Sequence, residues 1–113
     1  MAVTATLLTA PLFVGCSSNK SAEKDVSITA CRDDPGGGRP TADGTILNHS
    51  SKASSYVVDI SFIDSSGNRV SEGGAPVGKV ESGATAVFHA QGVSGAKGPL
   101  TCKVASVQRT VAP

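Results

Sequence analysis

After Cys16 the apolar residues occur in short alternating runs, and none of these runs keeps the spacing of an amphipathic helix. Glycine, proline, serine, asparagine or aspartate separates each run from the next, and 13 of the 113 residues are glycine. Alternation over about four to eight residues between such breaks is typical of half-buried β-strands. The chain is therefore predicted to be all-β, with about six or seven short strands in an antiparallel sandwich.

The strongest strand signal is Tyr56–Ile63. The side chains expected on its buried face are Tyr56, Val58, Ile60 and Phe62. Asp59 and Ser61 alternate with them on the opposite, wetter face. A hairpin turn is predicted at Asp64–Asn68, where Gly67 is free to adopt a positive φ.

Weaker strand signals lie on both sides of this hairpin. Strands are predicted at Val26–Ala30, Thr41–Asn48, Arg69–Glu72, Thr85–Ala90 and Leu100–Thr110. Phe88 is expected to point inward and His89 outward. The apolar phase of the last strand shifts between Val104 and Val107, which indicates a bulge. Glycines and a proline make Gly73–Gly78 an irregular stretch, more typical of an edge than of a central strand.

The first 15 residues carry no charged side chain and end in Leu12-Phe13-Val14-Gly15, directly before Cys16. This run resembles a lipobox, the site at which bacteria cut an exported precursor and attach lipid to the new N-terminal cysteine. The small Gly15 permits close approach of a signal peptidase. The thiol of Cys16 would carry a diacylglyceryl group, a membrane anchor to which each buried methylene contributes roughly 0.8 kcal/mol. Residues 1–15 are therefore predicted to be a signal peptide, and the mature protein to be lipid-anchored on the extracytoplasmic face of the cell membrane.

Two features depart from this pattern. Phe13 lies three residues before Cys16, where Leu, Val or Ile is usual, and no Lys or Arg precedes the apolar run. We expect Met1 to lie inside a longer signal whose basic residues are upstream. The alternative is a short buried helix with one buried thiol, since the run is shorter than the roughly 20 apolar residues that span a bilayer. Residues 16–25 are small, polar and charged, and we expect a flexible tether that lifts the domain, residues 26–113, off the lipid.

If Cys16 carries lipid, Cys31 and Cys102 remain as an even pair in an oxidising compartment, and a disulfide between them is predicted. It would close a loop of about 70 residues and stabilise the fold by roughly 4 kcal/mol in the chain-entropy model. Two free thiols or a metal-binding pair are the alternatives, although neither CxxC spacing nor a nearby histidine favours them.

Charge and motifs exclude several classes of protein. Ten basic and nine acidic side chains, all after Cys16, leave no basic stripe for nucleic acid and no polybasic membrane patch. The sequence contains no nucleophile elbow, metalloprotease motif, phosphate-binding loop or dinucleotide fingerprint. We therefore expect a protein that is not an enzyme and needs no cofactor.

His49 and His89 are the only histidines. His49 is expected to cap a turn and His89 to face water. The alternative is a metal site on these two residues with help from Asp59 or Asp64.

Two further polar motifs have structural interpretations. Asp33-Asp34 lies in a glycine-rich loop without the ligand spacing of an EF-hand, so we expect it to be solvated. Asn48-His49-Ser50 matches a glycosylation sequon, but Asn48 is expected instead to close a turn through side-chain hydrogen bonds.

Three motifs resemble those of a known domain. They are the Gly-apolar-Asn-x-Ser run Gly44–Ser50, the segment Tyr56–Gly67 in which an aromatic, an aliphatic and Asp lead into a turn glycine, and Ser82-Gly83 before the strand that carries Phe88. Together, over about Val26 to Arg109, they resemble the immunoglobulin-like FxLYD-type domain of bacterial lipoproteins. The Cys31 and Cys102 pair and the Gly/Ser-rich loops resemble its actinobacterial members. The resemblance implies a small immunoglobulin-like sandwich outside the cytoplasm and implies no catalytic residues.

The leading hypothesis is a non-enzymatic binding or structural protein of the cell envelope. It would contact an envelope protein or polymer through loops or a strand edge, with β-strand addition at Gly73–Gly78 as one mode. The alternative is a metal- or small-ligand-binding lipoprotein that uses His49, His89 and surface carboxylates.

Overall fold

The computed structural model describes residues 20–113, which form two three-stranded antiparallel sheets packed face to face. A single helical turn, α1 (Lys20–Glu23), precedes the first strand. The strands are β1 (Val26–Arg32), β2 (Thr41–Leu47), β3 (Ser54–Ile63), β4 (Arg69–Val80), β5 (Thr85–Gln91) and β6 (Thr101–Val111). No helix within this described part of the chain is long and apolar enough to cross a membrane.

The strand order is that of an immunoglobulin-like sandwich. One sheet has the order β1-β2-β5 and the other β4-β3-β6. Immunoglobulin-like domains place strands A, B and E in one sheet and C′, C and F, in that order, in the other. The prediction of a small, all-β, antiparallel sandwich is confirmed, with six strands among the described residues.

The core lies between the sheets and is centred on β3. The side chains of β3 that were predicted to be buried are Tyr56, Val58, Ile60 and Phe62, and each is at most 1% exposed. Ile46 and Phe88 face them from the other sheet, so the inward orientation of Phe88 is confirmed. Gly44 lies in register with Phe88 on the neighbouring strand, and a side chain there would collide with the Phe88 ring.

The two long sides of the sandwich are closed by different means. On one side the Cys31–Cys102 disulfide joins β1 to β6 across the sheets, with the two Cα atoms 5.7 Å apart. On the other side Gly73 of β4 packs directly against the backbone of Gln91 at the end of β5. The Val93 N–H just after β5 donates to the Glu72 carbonyl of β4 at 2.9 Å. Both sides therefore tie one sheet to the other.

The connections cluster at two opposite ends of the sandwich. One end, which we call the entry end, comprises α1, the β2–β3 connection (residues 48–53), the β4–β5 turn (residues 81–84) and the end of β6. The loop end comprises the β1–β2 loop (residues 33–40), the β3–β4 hairpin turn (residues 64–68) and the β5–β6 loop (residues 92–100). The disulfide lies near the loop end, because Cys31 is close to the end of β1 and Cys102 is close to the start of β6.

Two predicted irregularities of the strands have different outcomes. The bulge in the last strand is confirmed, since Asp59 pairs with Ser106 while the next residue, Ile60, pairs with Val104. The predicted irregularity at Gly73–Gly78 is confirmed only at its end: Gly73–Val77 pair regularly with β3, whereas the register shifts between the pairs Tyr56–Val77 and Ser54–Val80, next to Gly78. The position of β4 at a sheet edge is as predicted.

The flexible tether predicted over residues 16–25 requires a correction at its end. Lys20–Glu23 form α1, and Ala22 and Asp25 are 0% and 3% exposed. Residues 20–25 are therefore part of the folded domain, because Ala22 joins the hydrophobic core and Asp25 makes the contacts described below. Residues 16–19 lie outside the described part of the chain.

Because Gly44 packs closely against neighbouring atoms, we expect alanine to destabilise the domain more at Gly44 than at Gly78. In Gly44→Ala the new methyl group collides with the Phe88 ring and the Ser27 carbonyl, whereas in Gly78→Ala it meets nothing within 4 Å. We expect Gly44→Ala to lower the free energy of unfolding by about 1–3 kcal/mol, and Gly78→Ala to leave it unchanged or slightly raised. Urea denaturation of both variants checks this, and equal effects would contradict the packing described here.

Candidate functional site

The entry end is organised around one buried carboxylate, that of Asp25. The Tyr56 hydroxyl of β3 donates to Asp25 Oδ2 at 2.6 Å, and Arg109 Nη1 of β6 donates to the same oxygen at 3.0 Å. The ring of His49, in the β2–β3 connection, places Nδ1 2.7 Å from Asp25 Oδ1. We call Asp25, His49, Tyr56 and Arg109 the entry clamp.

The backbone of Asp25 is bound as firmly as its side chain. Its N–H closes the turn of α1 by donating to the Ala22 carbonyl at 3.0 Å, and its carbonyl accepts from the Leu47 N–H of β2 at 2.8 Å. Arg109 also reaches α1, with Nη2 3.3 Å from Ser21 Oγ. The entry clamp thus joins the first described residues to both sheets.

The electrostatics of the entry clamp favour a structural role. Burial raises the pKa of Asp25, but hydrogen bonds from Tyr56, His49 and Arg109 outweigh it, so the pKa lies below the ordinary 3.8. Burial and the hydrogen bond to the Asp25 carboxylate raise the pKa of Tyr56 to about 12. Because an ionised carboxylate only accepts, the hydrogen between Asp25 and His49 belongs to Nδ1. A lowered carboxyl pKa moves Asp25 away from the range in which general acids and bases work near neutral pH.

A second charged cluster lies on the outer face of the β1-β2-β5 sheet. Asp43 of β2 is in register with His89 of β5, and His89 Nδ1 lies 2.6 Å from Asp43 Oδ1. Arg32 of β1 pairs with the other oxygen, Oδ2. The hydrogen bonds from His89 and Arg32 lower the pKa of Asp43. The His89 side chain is 61% exposed, which confirms its predicted orientation toward water.

A groove of about 440 Å³ adjoins this cluster. Thr29, Asp43, Thr45, Val87 and His89 line it, and Val87 is 77% exposed. The groove, which Gly44 and Phe88 also line, therefore combines a mostly apolar surface with a few polar groups, a set that suits a small ligand.

The structure does not bring the two histidines together as the metal alternative required. His49 belongs to the entry clamp rather than capping a turn as predicted, and His89 pairs with Asp43. Asp59 accepts a hydrogen bond from Ser106 at 2.9 Å. Asp64 Oδ1 accepts the backbone N–H groups of Ser66 and Asn68, both at 2.9 Å, within the hairpin turn. Within residues 20–113 no group of three or more His, Cys, Asp and Glu residues is placed to hold a metal ion.

Asn48 closes the β2–β3 connection as predicted. Its side-chain amide is fully buried and donates to the carbonyls of Lys52 and Val80, both at 2.9 Å. Its oxygen accepts from the Ser50 N–H at 2.8 Å and the Ser50 hydroxyl at 2.6 Å. These four hydrogen bonds use the full capacity of the amide and fix the loop that carries His49.

The loop end is built from two glycine-rich loops that touch. The Ala96 N–H donates to the Gly38 carbonyl at 3.2 Å, and Gly95 packs against the backbone of Gly37. Asp34 caps a turn by accepting the Gly36 N–H at 2.8 Å, and both it and Asp33 are exposed. The predicted disulfide between Cys31 and Cys102 is confirmed, and it lies near this end of the sandwich. The predicted lipidation site, Cys16, lies outside the described residues.

Sequence reasoning missed the entry clamp. Its partners lie 24, 31 and 84 residues from Asp25, and no local spacing links them. The one available signal was Asp25, which directly precedes the first alternating run. Because residues 17–25 are mostly polar, this Asp was assigned to the tether.

Comparison of the chain with protein-family models, with curated proteins and with solved structures finds no match in any of the three.

The entry clamp predicts a pH-dependent stability contribution from Asp25. The folded pKa of this carboxyl is below its unfolded value, so its contribution is complete above that value and is lost as pH falls through the folded pKa. We expect Asp25→Asn to lower the free energy of unfolding by about 2–4 kcal/mol at pH 7, because Arg109 then lacks its buried counter-charge. The difference from wild type should shrink toward pH 3.

Asp59→Asn is the matched control, since it removes the same charge from a half-buried aspartate that accepts only from Ser106 among the hydrogen bonds described. We expect this variant to stay within about 1 kcal/mol of wild type. Urea denaturation between pH 7 and pH 3 measures the free energy of unfolding of both variants. Equal losses in the two variants at every pH would show that the Asp25 carboxylate stabilises the fold no more than the Asp59 carboxylate does.

Proposed function

We propose that the chain is a lipid-anchored, non-enzymatic binding module of the cell envelope. It is held on the extracytoplasmic face of the cell membrane through Cys16 and presents its loop end to an envelope protein or polymer. The observation that carries this proposal is the opposition of the two ends. The chain enters at the end nearest in sequence to Cys16, and the disulfide stiffens the other end.

Export is supported by the cysteines. A disulfide that joins opposing sheets persists in an oxidising compartment and is rare in the cytosol. The Cys31–Cys102 pair uses both cysteines of the folded domain and leaves Cys16, directly after the apolar run, for lipid. The proposal includes membership of the FxLYD-type lipoprotein domains. It is supported by the buried face of β3 and by the turn at Gly67, whose φ is +88°.

The loop end is better suited to a partner than the β4 edge. The Glu72 carbonyl points to the side of β4 that is not paired with β3, because Val93 donates to it there. Backbone groups of alternate residues point to the same side of a strand, so the backbone nitrogens of Gly74 and Pro76 also face this edge. Proline has no N–H, so Pro76 removes a donor that an added strand would need. Two packed loops on a disulfide-linked scaffold form a surface of the kind that commonly carries binding residues.

Fractionation and mass spectrometry of cells that express the complete precursor test this proposal. We expect wild type in the membrane fraction, with a diacylglyceryl group on Cys16 and no free thiol at Cys31 or Cys102. Cys16→Ser should carry no lipid and should lose its membrane attachment.

The double variant Cys31→Ser/Cys102→Ser is the control, and it should retain the lipid although its yield falls. An uncleaved chain in the cytosol with both thiols reduced would refute the proposal.

The groove beside Asp43 and His89 favours a second candidate function, the binding of a small ligand. Its mixed lining and its volume of about 440 Å³ carry this candidate. The metal-binding form of the hypothesis gains no comparable support from residues 20–113.

An NMR screen of the mature chain against saccharides, amino acids and short peptides tests this candidate. A true ligand should shift the backbone amides of Val87 and His89, and Val87→Arg, which fills the groove, should abolish the shift. Val57→Arg is the control, because Val57 is 40% exposed on the other sheet. A screen without shifts confined to the groove would eliminate the candidate.

A further inference from the structure

We infer that the domain lies directly on the membrane with its entry end against anionic lipid headgroups, instead of being carried above the membrane on a tether. This inference rests on the proposed lipid anchor at Cys16. It deepens that proposal by assigning an orientation and a lipid-facing surface.

The length of the connection is the first argument. Because α1 and Asp25 belong to the folded domain, only Ser17, Ser18 and Asn19 separate Cys16 from the first docked residue, Lys20. Four Cα–Cα steps reach at most about 14 Å even when fully extended. A lipidated sulfur lies near the base of a headgroup layer that is itself about 5–8 Å thick. The entry end therefore cannot move away from the lipid surface by more than about 10 Å.

The entry clamp keeps the connection short. Asp25 is held by Tyr56, His49 and Arg109, and Arg109 also contacts Ser21 of α1. If these contacts were released, six more residues would join the connection and extend its reach by about 20 Å. The clamp at Asp25 thus determines how far the domain stands from the membrane.

The surface around α1 carries groups that suit phospholipid headgroups. Lys20, Lys24 and Lys52 are exposed there. Lys52 and Ser51 line a cleft of about 260 Å³ together with Arg109, whose guanidinium is held by Asp25 and Ser21, and the ammonium and hydroxyl groups of Lys52 and Ser51 are donors for phosphate oxygens. The acidic side chains at this end are fewer than the basic ones: Asp25 belongs to the entry clamp, and Glu81 lies 3.6 Å from Lys79. Glu23 lies on α1 itself.

Three lysines bind an anionic surface weakly on their own, which agrees with the near-neutral charge of the whole chain. A short connection changes this balance, because it holds the surface and the lipid at a high effective concentration. Anchoring and charge therefore act together: the short connection holds the entry end near the lipid, and the lysines strengthen that orientation on an anionic surface.

Paramagnetic NMR on nanodiscs tests the orientation. The ¹⁵N-labelled mature chain is coupled through the Cys16 thiol to a maleimide lipid, in discs that contain a gadolinium-chelating lipid and either phosphatidylcholine alone or added phosphatidylserine. We expect amides of residues 50–52 and 81–84 to relax at least fivefold faster than amides of residues 65–67 and 94–97. The ratio should be larger with phosphatidylserine. Equal relaxation at both ends, or faster relaxation at the loop end, would overturn the inference and leave the entry end to a protein partner.

Two variants separate the contributions. Lys20→Glu/Lys24→Glu/Lys52→Glu should at least halve the ratio on phosphatidylserine discs. Arg39→Glu/Lys97→Glu/Lys103→Glu, an equal charge change on exposed residues of the loop end, should leave it unchanged. The same loss in both variants would overturn the assignment of headgroup contacts to the entry end.

A third variant tests the connection. Twelve Gly-Ser residues inserted between Asn19 and Lys20 should bring the ratio on phosphatidylcholine discs toward one, and an unchanged ratio would show that connection length does not orient the domain. Because the lipid is attached chemically, these results judge the orientation alone, while natural lipidation is judged by the fractionation described above.

Discussion

The carboxylate of Asp25 determines where the chain enters the sandwich. Removing a carboxylate from water costs several kcal/mol unless its charge and lone pairs are matched, and here Tyr56, His49 and Arg109 match them. The backbone of the same residue binds Leu47 in the opposite sheet. One residue therefore joins α1 to both sheets.

Beyond the entry clamp, the domain is stabilised by a small hydrophobic core and by the disulfide that links the two sheets. Four of the twelve buried apolar side chains in the described part of the chain are small ones, Ala22, Ala42, Ala75 and Ala90, each at most 3% exposed. The disulfide closes a loop with a sequence separation of 71. A loop of that length is worth about 4 kcal/mol, against a typical total of about 5–15 kcal/mol for a folded domain. The same chain with both of these thiols reduced would lose a large share of its stability.

Most strands, the hairpin turn, the bulge and the disulfide could be predicted because each depends on a local pattern or on pairing by elimination. Alternation in Tyr56–Ile63 and the turn glycine Gly67 needed no knowledge of distant residues. The β4 strand was misjudged because glycine was interpreted by its local propensity, whereas Gly73 is required for close contact with Gln91 across the sandwich. The clamp at Asp25 was missed for a similar reason, since its nearest partner in sequence is 24 residues away.

The separation of the two ends limits which partners the loop end can meet. Strand β3 has 10 residues, and at about 3.3 Å per residue it places the loop end roughly 33 Å from the entry end. In the proposed orientation the loops around Gly37 and Gly95 therefore stand about 30 Å or more above the headgroups. A ligand embedded in the same leaflet is out of their reach. A polymer layer, or a protein that extends from the membrane by a comparable distance, would meet the loops directly, and the short connection at the proposed anchor Cys16 would keep the domain oriented toward it.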